Sequence, residues 1–157
     1  QEDMTMKLRM TIIIGLLMTA LSLSAQSASL KINQVFDGLV TPIERMVLTR
    51  VKGKALSKYR LTYYRSAQFI CSTSEAAEVT NLVLADKATS DRAGLSQRQT
   101  WRSSKEQLVF ALPSQRGHNR FISLVKEKQK HGKTLVTLIY MEGSVGDVHE
   151  LNKLIKQ

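Results

Sequence analysis

The chain has one cysteine, Cys71, so no internal disulfide can staple it in any redox compartment. That sets it apart from small disulfide-rich secreted modules. Cys71 ends the strand-like run Phe69-Ile70-Cys71 and reads as a small buried hydrophobe; a dimer disulfide or a reactive thiol is the alternative. Histidine is scarce too, with three residues. His118, His131 and His149 stand far apart, with no His-x-His or His-x-x-x-His pair of the kind that lets one loop or helix supply two zinc ligands. No metal ligand set is expected, and no cofactor. There is no Gly-x-Ser-x-Gly elbow, and Gly132-Lys133-Thr134 ends like a phosphate loop but has Glu127 where the earlier glycine is required. Ser123 and Lys126 have the spacing of a serine–lysine dyad, yet residues three apart on a strand point to opposite faces. No catalytic residue is therefore expected, and the chain reads as a non-enzyme. Only two prolines occur, and there is no internal repeat, low-complexity tract or interdomain linker.

What is present begins with an address. Lys7 and Arg9 precede the apolar run Ile12-Ile13-Ile14-Gly15-Leu16-Leu17-Met18, and small residues follow, the order of a secretory signal. The run weakens at Thr19 and Ser22, short of the roughly 20 apolar residues that span a bilayer. Residues 1–25 are expected to be a signal peptide cut after Ala25, with Ser24 and Ser27 as other cleavage points. Gln1-Glu2-Asp3 suits a signal poorly, which points to Met4 or Met6 as the natural start. A lipoprotein would need a cysteine at the cut, so the product is expected to be soluble, periplasmic or extracellular, and without a transmembrane helix. Residues 26–157 are long enough for one domain without staples.

Acidic residues are few: 13 against 23 Lys and Arg, a formal charge of +10. The leader removes Lys7, Arg9, Glu2 and Asp3, which cancel, so the excess belongs to the mature domain. Such a charge steers acidic partners toward the protein, although it also serves solubility. Outside the cytoplasm the candidates are an envelope protein or an acidic polysaccharide or lipid surface; nucleic acid is disfavoured.

Along the mature chain, Leu30, Val35, Phe36 and Leu39 predict a short helix, and Thr41-Pro42 ends it. Residues 46–51 predict a strand, and a second runs from Lys58 to Cys71, with Tyr59, Leu61, Tyr63, Ala67 and Phe69 on a core face that Arg65 interrupts. Ser72-Thr73-Ser74-Glu75 is a capping box, and Ala76, Val79, Leu82 and Val83 follow at helical spacing, predicting a helix over 75–89. Strands are predicted over 97–103, 106–112, 120–128 and 133–141, the last two joined by a hairpin at 129–132, and a helix over 147–155. Glu142, Asp147, His149 and Glu150 precede and open that helix and are best read as its cap. The class expected is α+β, a mainly antiparallel sheet of five to six strands with two to three helices packed on one face.

Residues Leu30-Lys31-Ile32-Asn33-Gln34-Val35-Phe36-Asp37-Gly38 and 51–62, with their Phe-Asp-Gly and Gly-Lys-x-Leu-x-x-Tyr motifs, resemble a family of small exported Bacteroidota proteins of uncharacterised function. The similarity covers mainly residues 30–66. It implies a Gram-negative envelope setting and carries over no catalytic or binding position.

The remaining chemistry is on the surface. Lys58, Arg60, Thr62 and Tyr64 are expected to share one strand face, and Arg98, Thr100 and Arg102 a face of another beside Trp101. Where those faces coincide, they make a cationic patch with aromatic neighbours, of a composition suited to acidic sugars or single-stranded nucleic acid; an ordinary solvated sheet face is the alternative. The expected function is a non-catalytic, envelope-associated binding module using Lys58, Arg60, Tyr64, Arg98, Trp101 and Arg102. A small hydrolase or enzyme inhibitor with an unrecognised site, or a structural homo-oligomer, are the other possibilities.

Overall fold

In the computed structural model, which describes residues 30–156, six strands form one antiparallel sheet in the order β1-β2-β6-β5-β4-β3. They are β1 (Val47–Lys52), β2 (Leu61–Cys71), β3 (Gln97–Trp101), β4 (Lys105–Gln115), β5 (His118–Lys128) and β6 (Thr134–Gly143). A short helix α1 (Asn33–Phe36), a long helix α2 (Thr73–Arg92) and a terminal helix α3 (Val148–Ile155) accompany them. The α+β class and the antiparallel sheet are as expected. The signal peptide and its cleavage near Ala25 lie outside the described residues. No helix among the described residues is long and apolar enough to cross a membrane.

Strands β3 to β6 form a meander through short turns, and α2 carries the chain from β2 across to the far edge, where β3 begins. Ser72 and Glu75 start α2 as the capping box predicts: the Glu75 backbone N–H donates to Ser72 Oγ at 3.2 Å, and the Ser72 N–H donates to the Glu75 carboxylate at 2.9 Å. That backbone hydrogen bond, reinforced by Ser72 and Thr41 hydroxyls and by Arg45, holds the Glu75 carboxyl below its usual pKa range. Gly94, at φ +65°, follows the helix end.

Alternation along the strands assigns each residue to a face. Phe69, Leu108, Phe110, Leu112, Ile122, Leu124, Val136 and Leu138 are buried on the face crossed by α2, which adds Ala76, Val79 and Val83. Cys71 is buried there too, as a free thiol whose pKa burial pushes up. Asp86 of α2 is 4% exposed, and its carboxylate accepts the backbone N–H groups of Lys31 (2.8 Å) and Ile32 (3.0 Å). This ties the first turn of the domain to the middle of α2. The first helix is shorter than its apolar spacing predicts, because Ile32 and Val35 are the inward residues and Leu39 is exposed. Arg65 lies on the same sheet face, donating to Asn33 Oδ1 with its guanidinium over the Phe36 ring at 4.1 Å. The break in the core pattern of β2 is thereby filled by α1.

The expectation that all helices pack on one face is corrected by α3. Val148 and Leu151 join Leu56, Leu61, Val109, Ala111, Phe121, Met141 and Val145 in a second core on the opposite face. The physical reason is visible in β4 and β5: runs such as Leu108-Val109-Phe110-Ala111-Leu112 are buried on both sides, so both sides need cover. Asp147 caps α3 by accepting the Glu150 N–H at 2.8 Å, and Glu150 accepts the Gly146 N–H at 2.6 Å, so two of the four residues expected to form the cap do so.

The start of β2 is also corrected. Lys58 is not on a strand, because Gly53–Tyr59 form a 3₁₀ segment and Arg60 turns the chain at φ +55°. A register shift between Leu61 and Tyr63 then places an extra residue in β2. Leu61 therefore enters the second core, while Tyr63 and Arg65 face the other way. Uninterrupted alternation from Lys58 does not survive that bulge.

Candidate functional site

An eight-residue helix is only about 12 Å long, so α3 covers one end of its sheet face and leaves a cleft along its flank. One lobe, of about 350 Å³, is lined by Tyr59, Leu61, Tyr64, Ile139, Met141 and Leu151. The other, of about 390 Å³, is lined by Arg98, Arg102, Lys105 and Lys156. Gln107, Val109, Asn152 and Ile155 line both, so the lobes share walls. One half is apolar and aromatic; the other is cationic.

Strand register explains how the halves are built. Arg98 pairs with Val109 and Thr100 with Gln107, which puts Arg98 and Thr100 on the α3 face of the edge strand. Arg102 follows in the tight β3–β4 turn, where its backbone exchanges hydrogen bonds with Lys105 at 2.8 and 3.2 Å. Lys105 Nζ is 2.7 Å from Glu127. Among the described residues no carboxylate pairs with Arg98, Arg102 or Lys156. Asn152 Nδ2, in the shared wall, is buried and has no hydrogen-bond partner. A buried donor left unmade costs about 1–3 kcal/mol.

The six predicted site residues divide. Tyr64 lines the apolar lobe, and Arg98 and Arg102 line the cationic one. Trp101 pairs with Glu106 on the opposite sheet face, 67% exposed, beside a different hollow that also holds Lys126 and Lys128. Lys58 and Arg60 stand apart from Arg98. Lys58 Nζ sits 4.7 Å over the Tyr59 ring, and Arg60 pairs with Glu150 and donates to Ser144 O at 3.1 Å, anchoring the approach to α3. Strands β2 and β3 are second and sixth in the sheet, four strand spacings or roughly 19 Å apart. The two basic runs therefore form no common patch. Lys105, Lys156 and Asn152 take the place of Lys58 and Arg60 beside Arg98 and Arg102; hairpin pairing of β3 with β4 points to Lys105, but nothing in the sequence places α3 against them.

Other candidate chemistry is dispersed. Ser123 lines the apolar lobe, but Lys126 is on the far face with Nζ 2.9 Å from Glu106. Glu142 accepts the Tyr140 hydroxyl at 2.6 Å, and among the described residues no hydrogen bond joins it to His149. Among the described residues no three His, Cys, Asp or Glu side chains gather as a metal site would require.

The profile of a family of unknown function, DUF6108, matches residues 18–155, which include every strand and helix of the sheet domain. The chain belongs to this family. The match runs well beyond the residues 30–66 that resemble an uncharacterised family at the level of motifs. Comparison with curated proteins and with solved structures found no match. Because the family description carries no activity, the chemistry of DUF6108 in this chain rests on the cleft itself.

Proposed function

We propose that the protein is a non-catalytic binding module that holds an anionic ligand in the cleft beside α3, and that it works in the cell envelope after export. The observation that carries the reading is the convergence of Arg98, Arg102 and Lys156 on one lobe without a carboxylate partner among the described residues. Such cations are normally neutralised within a fold or left scattered on its surface; here a concave wall focuses their field on one place. Export is supported by the basic-then-apolar leader of residues 7–25. The envelope then offers acidic glycans and lipid headgroups as partners in place of nucleic acid. A binding role is supported over a catalytic one by the separation of Ser123 from Lys126 and by the dispersal of His118, His131 and His149 in sequence.

Heparin serves as the generic polyanion for the test. The protein should be retained at low salt and released by a NaCl gradient, with Arg98→Ala and Arg102→Ala eluting clearly earlier, since each removes a contact that displaces counterions. Lys58→Ala deletes the same charge outside the cleft and should elute close to wild type. Absence of retention, or equal shifts for all three variants, would overturn the reading.

A further inference from the structure

We infer that the ligand is a single-chain anionic amphiphile, its head held by Arg98, Arg102 and Lys156 and its acyl chain lying over Tyr64, Ile139 and Met141. This rests on the reading of the cleft as an anion site and narrows what fills it. The two lobes share Gln107, Val109, Asn152 and Ile155 as lining residues, so the cationic end and the apolar end adjoin. The two volumes, about 390 and 350 Å³, each lie in the range of roughly 300–1,000 Å³ typical of small-molecule sites. An acidic sugar would satisfy the guanidinium groups but leave the half-buried Tyr64, Val125 and Ile139 facing water. A flat bilayer surface would meet the rim cations without entering the trough. An amphiphile matches both ends at once: its carboxylate or phosphate accepts from the paired donors of an arginine, and its methylenes cover the apolar wall. Asn152, whose Nδ2 is buried and without a partner, forms part of the shared wall, so an occupant seated across the junction packs against it.

The test is displacement of cis-parinaric acid, a fluorescent fatty acid, by ligands kept below their micelle concentrations. Octanoate, decanoate and dodecanoate should compete with affinities rising by up to about fourfold per added methylene while the apolar lobe fills. Dodecanol, which lacks the charge, should compete at least tenfold less well than dodecanoate. Dodecanoate and dodecyl phosphate share the required chemistry, and their ratio identifies which head the site prefers. Ile139→Gln, a neutral change at a half-buried wall position, should weaken dodecanoate at least tenfold while shifting heparin elution less than Arg98→Ala does; Arg102→Glu should weaken both. The chain-length series needs no variant, so misfolding of Ile139→Gln would not remove the test. Heparin retention without chain-length dependence, or dodecanol equal to dodecanoate, overturns the amphiphile and spares the anion site. Loss of heparin retention together with failure of every amphiphile overturns the anion site as well.

Discussion

Gly143→Ala is expected to lower the stability of the folded protein by about 3 kcal/mol, at the upper end of the range for inserting atoms into filled space. Gly143 ends β6 opposite Leu61, where β2 carries its bulge. A Cβ at this position would fall inside van der Waals contact with Arg60 O and lie 2.7 Å from Leu61 Cα. Both are backbone atoms, so neither can swing aside as a side chain would. The same Arg60 carbonyl accepts the Ser144 N–H at 2.9 Å, and the Arg60 guanidinium holds Glu150. Displacing that backbone therefore loosens the approach to α3, the wall of the cleft. Urea denaturation should show a midpoint lower by one molar or more, taking about 1–3 kcal/mol per molar as the usual slope, with the slope unchanged. An unaltered midpoint would mean that the two backbones do not approach as described.

Asp86→Ala should cost a similar amount, about 3 kcal/mol. The buried carboxylate is the acceptor for two backbone N–H groups, and Ile32, which carries one of them, is fully buried. Removing an acceptor and leaving such donors unpaired costs about 1–3 kcal/mol for each that stays dry. The pH dependence adds an independent readout. Burial pushes the Asp86 carboxyl pKa up, and the N–H groups of Lys31 and Ile32 only partly oppose it. A folded-state pKa above the unfolded value of about 3.9 means that the folded protein binds the proton more tightly. That contribution is complete below the unfolded value and is lost as pH rises through the folded one. In the stability difference between wild type and Asp86→Asn, most other carboxylate titrations cancel. The difference should move against the wild type as pH rises from about 3.5 through the carboxylate range; a shift in the opposite direction would contradict the burial assigned to Asp86.

Much of this fold is legible where one local rule acts alone. Ser72 and Glu75 start α2 because their reciprocal hydrogen bonds involve only neighbours, and Val79 and Val83 mark its inner face by spacing. The turns at Gly94 and Gly132 follow from backbone that glycine adopts readily. What escapes the sequence depends on partners far along the chain. The extra residue between Leu61 and Tyr63 reverses the inward side of β2, and its cause, the close approach permitted by Gly143, lies some 80 residues away. The two-sided burial of residues 108–112 appears in sequence only as a dense apolar run. The strand order decides the site: because α2 delivers β3 to the far edge, Arg98 and Arg102 meet Lys105 and Lys156, not Lys58 and Arg60. Strand alternation alone sets the side of the sheet on which Arg98 lies, whereas Arg102 is past the strand end in the turn; the position of Asn152 depends on where α3 packs, which no local rule gives.

The most direct test of the cleft as the binding site is a ¹⁵N-resolved NMR titration of the folded domain with dodecanoate, following the side-chain amide of Asn152. The two Nδ2 proton resonances should move in a saturable way, together with backbone signals of Arg98, Arg102, Ile139 and Met141. The exposed faces around Lys58 and Trp101 should stay unchanged. Saturable shifts confined to Lys58 or Trp101, with Asn152 silent throughout, would contradict the account.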